Sequence, residues 1–226
     1  MLDFYGTLVE EDEGPILEIC RDIARGSSKS VTPEQLVHEW WEIFGEICVE
    51  CYGDGFKLER DIEQQTAQTV LDRYETRLPD RSILDNLYEH WKTPPIFPET
   101  LSVLDKCDIP ICIVSNIDND AFQAAMEFHG FSFGMTVTSE DLKSYKPRPE
   151  MFLKALDMID MKPEDVLHVG DSLFSDIGGA LSLGIPCLWI DNRGRKATAE
   201  DPKPDFIAKD LNGLIDILNG KHPGVS

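Results

Sequence analysis

Val166-Leu167-His168-Val169-Gly170-Asp171-Ser172-Leu173-Phe174-Ser175-Asp176 joins a short apolar run to two aspartates. The run reads as a buried strand, so Asp171 and Asp176 are expected near its C-terminal end, where open α/β sheets hold their ligands. Two hard oxygen donors at a strand tip suit Mg2+. The segment also has a plain reading, because Asp171 or Ser172 can N-cap the helix that follows.

Three further segments change the weight of that choice. Asp3-Phe4-Tyr5-Gly6-Thr7 lies at the start of the sequence, Ile111-Cys112-Ile113-Val114-Ser115-Asn116 ends an apolar run in a hydroxyl, and Tyr145-Lys146-Pro147 sets a lysine in a proline-stiffened loop. A carboxylate nucleophile, a hydroxyl donor, a cation and metal-binding carboxylates thus follow one another along one chain. Between them strands and helices alternate. Strands are expected at 109–114, 135–138, 166–169, 185–190 and near 206–207, and helices at 120–129, 149–158 and 211–218. This pattern predicts an α/β fold with a doubly wound parallel sheet.

The four motifs in this order resemble the haloacid dehalogenase superfamily of hydrolases, over nearly all of the 226 residues. The resemblance implies a Rossmann-like core of residues 1–11 and 93–226 and an inserted helical cap of residues 12–92. It implies Asp3 as the attacking carboxylate and a substrate site built from Ser115, the backbone N–H groups of Asn116 and of Phe4 or Tyr5, and Lys146, with Thr7 buttressing the Asp3 loop. It also implies Mg2+ held by Asp3, the carbonyl of Tyr5 and Asp171, with Asp176 as an additional or water-mediated ligand. One residue departs from the phosphatase pattern. Tyr5 stands where those enzymes usually carry a second aspartate that protonates the leaving group and activates water. A phenol with an ordinary pKa of about 10 is a poor base near neutrality. An Asp-x-Tyr-Gly-Thr opening is similar to the 2-haloacid dehalogenase branch, whereas Gly170-Asp171 followed by Asp176 is similar to the Mg2+-dependent phosphatases. Asn192-Arg193-Gly194-Arg195 resembles a family loop, with plain solvation of both arginines as the alternative.

The helical pattern of the insert is legible residue by residue. Ile16, Leu17, Ile19, Cys20 and Ile23 share one face. Thr32-Pro33-Glu34-Gln35 has the form of an N-cap with proline in the first turn, opening a helix that carries Trp40, Trp41 and Phe44 as an apolar stripe. A helix from about 58 to 74 and a shorter one opened by Asp80-Arg81-Ser82 follow. Thr93-Pro94-Pro95 and Pro98 mark a hinge.

Composition bounds the partners. With 21 basic and 42 acidic residues the formal charge is −21, which repels nucleic acid and anionic membranes and leaves a small anionic substrate dependent on local cations or a metal. No apolar stretch reaches the ~20 residues needed to span a bilayer, and a cytoplasmic monomer or homodimer is expected. The six cysteines are spread through apolar segments, as reduced core thiols are. Cys48 and Cys51 have metal-type spacing without a second pair to complete a zinc site. Only Met1 and Leu2 precede Asp3, against about five residues in a typical strand. Either residues lie upstream of this sequence or the first strand is a stub.

Three functions compete on these grounds. They are a Mg2+-dependent phosphatase-type hydrolase, a metal-independent hydrolase acting at carbon in the manner of a 2-haloacid dehalogenase, and a binding or regulatory protein with little turnover.

Overall fold

A computed structural model describes residues 1–77, 82–195 and 197–221, with no side chain described at 82 and 83; the helix-opening residues Asp80 and Arg81 lie outside this set. The described chain divides into two compact units.

The first unit contains Met1–Glu10, Pro95–Asn116 and the chain from Ser132 onward, and is built on a parallel sheet. Strands β1 (Cys112–Ser115) and β2 (Met135–Thr138) pair in parallel, as do β3 (His168–Gly170), β4 (Cys187–Ile190) and β5 (Phe206–Ala208). Leu2 joins the two sets, bridging Ile113 of β1 and Val169 of β3. Its N–H donates to the Cys112 carbonyl at 2.9 Å and its own carbonyl accepts from Val114 N at 2.9 Å, while Asp3 N donates to the Val169 carbonyl at 2.9 Å. The order across the sheet is therefore β2, β1, Leu2, β3, β4, β5. β1 and β4 are buried at every residue, as expected of strands covered on both faces.

Helix α8 (Pro149–Ile159) starts with proline in its first turn and buries Met151, Phe152, Ala155 and Leu156, positions that repeat on one helical face. These join Cys112, Val114, Val137, Ile177, Cys187 and Trp189 in one apolar core. The expected strands and helices of this unit are present, with three strand starts shifted inward by two to three residues: Cys112 for 109, His168 for 166 and Cys187 for 185.

The second unit, Glu11–Pro94 and Ile117–Phe131, is helical. It contains α1 (Glu13–Gly26), α2 (Pro33–Glu50), α3 (Glu59–Arg73), α4 (Ser82–Lys92) and α6 (Asn119–His129), while α5 (Thr100–Lys106) belongs to the first unit. No strand occurs between residues 34 and 74. Thr32 and Gln35 form the expected capping box: Gln35 N donates to Thr32 Oγ1 at 3.2 Å and Thr32 N to Gln35 Oε1 at 3.0 Å. Trp40 is fully buried, whereas Trp41 and Phe44 are half-buried and meet edge to face with ring centroids 5.7 Å apart.

Residues 117–131, read from sequence with the sheet, group with these helices. Asp118 is the reason. Its buried carboxylate accepts from Glu59 N at 2.7 Å, Arg60 N at 3.2 Å and Arg60 Nε at 2.8 Å, so it satisfies the first N–H groups of α3 and meets the positive end of that helix. Arg60 also pairs with Asp120.

Candidate active site

Parallel pairing around Leu2 fixes the site. Asp3 follows the bridging residue, Ser115 ends β1 and Asp171 follows Gly170 of β3, so three chemically capable residues leave the sheet at its carboxyl edge. Asp3, Asp171 and Asp176 are all buried, and one oxygen from each lies within 4.8 Å of the others. Among the described residues no other group of three His, Cys, Asp or Glu side chains comes together in this way.

Two glycines make room for the carboxylates. Gly6 has φ +83°, in the left-handed region, and a Cβ there would collide with Asp171 Oδ1; a Cβ on Gly170 would collide with the Asp176 carboxyl carbon.

Lys146 ties the cluster together. Its ammonium donates to Asp3 Oδ1 at 2.6 Å, to Asp176 Oδ1 at 2.6 Å and to the Val114 carbonyl at 2.8 Å, which uses all three of its protons. The Asn116 side chain holds this lysine's backbone, accepting from Lys146 N at 2.8 Å and donating to the Lys146 carbonyl at 3.2 Å. Asp176 receives further hydrogen bonds from Ser172 N at 3.1 Å and from His168 Nε2 at 3.0 Å. Burial pushes the His168 pKa down to about 4, so the ring is neutral near pH 7 and its Nε2 is the donor to the carboxylate.

The charges respond to these partners. Burial raises Asp3 to about 7, against the pull of Lys146. Burial, with the neighbouring charges of Asp176 and Asp3, raises Asp171 to about 8. Asp176 goes the other way. Burial disfavours its charge, but Lys146 and His168 outweigh burial and hold it well below the usual carboxylate range. Lys146 stays charged despite burial because Asp176 and Asp3 both face it.

The two readings of the Asp171-Ser172 pair turn out to be divided between the residues. Ser172 caps the turn over Leu173–Gly178, its hydroxyl accepting from Ser175 N at 3.1 Å, while Asp171 joins the carboxylate cluster. The turn is of the wide π type, with Ile177 N donating to the Ser172 carbonyl, a geometry frequent at functional sites.

Ser115 does not cap α6; Asp118 occupies the position before that helix. The Ser115 hydroxyl is buried without a hydrogen-bond partner among the described residues. The Thr7 hydroxyl is likewise buried and unpartnered, so the contact that holds Thr7 to the Asp3 loop runs through the backbone, from Thr7 N to the Phe4 carbonyl at 3.4 Å, rather than through its side chain. Tyr5 is half-buried and meets Phe4 edge to face with centroids 5.1 Å apart. Cys48 and Cys51 are both buried free thiols, and Cys51 Sγ accepts from Lys57 N at 2.8 Å.

One member of the cluster carries no sequence signal of its own: His168 reads as one more residue of an apolar strand. Arg195, read either as part of a family loop or as solvated, has its Nη2 3.2 Å from Asp171 Oδ2.

The residues present suit a hard divalent cation: carboxylate oxygens converge, all are buried, and burial together with the neighbouring negative charges raises two of the three carboxyl groups. Among the described residues no helix is long and apolar enough to cross a membrane.

Comparison with known proteins bears on the family and the fold. The haloacid dehalogenase-like hydrolase family matches over residues 1–184. The chain is 32% identical over 139 residues to pyrophosphatase PpaX of Bacillus cereus (strain ATCC 10987 / NRS 248), covering 60% of this chain and 62% of that protein. It thus spans about three fifths of the length of such relatives. L-2-haloacid dehalogenase from Xanthobacter autotrophicus has the same fold, with a TM-score of 0.75 at 18% identity over 97% of each chain. A HAD phosphatase from Thermococcus onnurineus gives 0.59 at 19% identity, over 98% of this chain and 97% of that one.

Proposed function

We propose that this chain, which belongs to the haloacid dehalogenase-like hydrolase family, is a Mg2+-dependent hydrolase of the phosphatase type acting on a small anionic substrate. The observation that carries this reading is Asp171, a third buried carboxylate set beside Asp3 and Asp176 within the reach of one cation. Such an arrangement is repulsive without compensating positive charge and useful with it. The similarity to pyrophosphatase PpaX supports the phosphatase type over part of the length.

Asp3 attacks phosphorus, the ester P–O bond breaks, and the leaving oxygen takes up a proton. Water then cleaves the aspartyl phosphate and regenerates the carboxylate. Lys146 fixes Asp3 through one oxygen and offsets charge on the transferring group. The unpartnered Ser115 hydroxyl supplies a hydrogen bond to a substrate oxygen. Mg2+ bound by Asp3, Asp171 and the Tyr5 carbonyl, with Asp176 behind them, would supply electrostatic stabilisation of the phosphoryl oxygens. Tyr5 supplies no carboxyl group for proton transfer, a contribution worth typically 10²- to 10⁴-fold. Turnover is therefore slow towards poor leaving groups and faster towards aryl phosphates.

A second reading has its own support. Arg195 already provides a cation to Asp171, and Tyr5 leaves the position two residues after Asp3 without a carboxyl group, which suits displacement at carbon by Asp3 with no metal.

The test compares phosphomonoesters, pyrophosphate and 2-haloacids, with Mg2+ and with chelator, for the parent, Asp3→Asn and Tyr5→Asp. The phosphatase reading expects Mg2+-dependent ester hydrolysis, abolished in Asp3→Asn and raised in Tyr5→Asp. Full activity on a haloacid in chelator, with no activity on any phosphate, overturns it. Silence on every substrate marks a binding protein.

A further inference from the structure

The segment that follows β4 reaches the site from two directions. Asn192 Nδ2 donates to the Gly6 carbonyl at 2.9 Å, which pins the segment to the first motif. Arg195 N donates to Asp191 Oδ1 at 2.7 Å, closing the segment into a compact loop. From that loop Arg195 places Nη2 at 3.2 Å from Asp171 Oδ2 and Nη1 at 3.5 Å from the Asp171 carbonyl, which also accepts from Trp189 Nε1 at 2.9 Å.

The charges of the cluster sort into two sets. Lys146 serves Asp3 and Asp176 and spends its remaining proton on the Val114 carbonyl, so it donates no hydrogen bond to Asp171 and acts on that carboxylate only through its charge. The direct cationic partner of Asp171 is Arg195. A guanidinium does not lose its proton in proteins, so this countercharge is permanent. The Arg195 side chain is 36% exposed and Asp171 is 2% exposed, so the arginine can retreat into solvent while the carboxylate cannot.

We infer that Arg195 is an internal counter-cation of Asp171 that competes with a divalent metal, so that the loop at 191–195 sets the metal affinity of the site. This rests on the Mg2+ reading above. The competition is of like charges for one carboxylate, and its sign follows from Coulomb's law. Its size is modest because the arginine is partly in water. A surface-type ion pair of this kind corresponds to a change of about two- to five-fold in a binding constant.

The alternative is that Arg195 merely latches the loop, in which case removing it loosens Asp171 and weakens metal binding. Opposite signs separate the two. The experiment is calorimetric titration with MgCl2, without substrate, of the parent, Arg195→Gln, Arg195→Lys and Asp171→Asn, all at one pH and ionic strength. Arg195→Gln keeps an N–H donor and drops the charge, so it binds Mg2+ about two- to five-fold more tightly. Arg195→Lys stays closer to the parent, and Asp171→Asn loses the binding. Arg195→Ser must move the affinity in the same direction as Gln, which keeps the test intact if one variant folds poorly. Equal or weaker Mg2+ binding in both neutral variants overturns the inference while leaving the Mg2+ reading standing. Binding in Arg195→Gln where the parent shows none supports the inference in its strongest form. Absence of binding in both parent and neutral variants overturns the Mg2+ reading, and the inference with it.

Discussion

Acidic side chains are buried in both units of the molecule, but with different company. At the sheet edge Asp3, Asp171 and Asp176 meet Lys146, Arg195 and the His168 ring. In the helical unit Glu63 Oε2 accepts from the Trp40 indole at 2.7 Å and Asp12 Oδ2 from the Trp91 indole at 2.8 Å, and among the described residues neither is paired with a lysine or arginine. Burial, reinforced by the charge of Asp12, holds Glu63 well above the usual carboxylate range, and burial raises Asp12 as well. A dipole can satisfy a carboxyl group but cannot offset its charge in a poorly polarisable interior. Glu63 and Asp12 in the helical unit are therefore satisfied by dipoles, which favours their neutral forms, while the sheet edge sets cations against its acids, holding Asp176 ionised and leaving Asp3 and Asp171 raised to about 7 and 8.

The sharpest way to break this contrast is Lys146→Met, which makes the sheet-edge cluster resemble the helical one. Asp3 and Asp176 are then left facing each other, and we expect a loss of about 3–5 kcal/mol in denaturant unfolding at neutral pH, together with loss of turnover. Unchanged stability would mean that the lysine compensates nothing. Next in size is Gly6→Ala, which combines φ +83° with a collision at Asp171. It should cost about 1–3 kcal/mol and weaken Mg2+ binding measured by calorimetry. On the helical side Trp40→Phe removes the donor to Glu63 and should cost about 1–3 kcal/mol, read from the denaturation midpoint.

The smallest effect is expected of Glu63→Gln, within about 1 kcal/mol in mildly acidic solution because it replaces one neutral group by another. Its signature lies in pH. Glu63 has a folded pKa above its ordinary 4.5, so between those values the folded chain binds a proton that the unfolded chain has released. Its contribution is complete below pH 4.5 and is lost as pH rises through the folded value. Unfolding midpoints measured from acid to alkaline pH should fall less steeply in Glu63→Gln than in the parent. An identical slope would show that Glu63 is ionised in the folded chain.

Local signals carried far in this sequence. The apolar runs ending at Ser115 and Gly170, the Thr32 capping box and the proline-led α8 are short-range patterns, and each produced the element it implied. Asp3, Lys146, Asp171 and Asp176 were visible because each sits at a punctuation point between elements. His168 was not, since one polar residue within a buried strand looks like any other until its partner is known. Asp118 and Glu63 share that obscurity, and for Arg195 the family-loop and solvated readings stand side by side: only tertiary contact reveals what such charged residues face. Asp118 shows the cost most clearly, because its hydrogen bonds to Glu59 and Arg60 move a whole helix into the other unit's company.

Leu2 deserves a last consequence. A single bridging residue sews the β1–β2 pair to the β3–β4–β5 set, and its partners Ile113 and Val169 stand far along the chain. Contacts so distant in sequence form late, after the intervening loops have closed. During ribosomal synthesis Asp3 emerges long before Lys146, Asp171 and Asp176, the residues gathered round it at the folded sheet edge. The seam is thus also a timer: in a half-made chain Asp3 lacks these partners, and the cluster is complete only when the sheet is stitched shut.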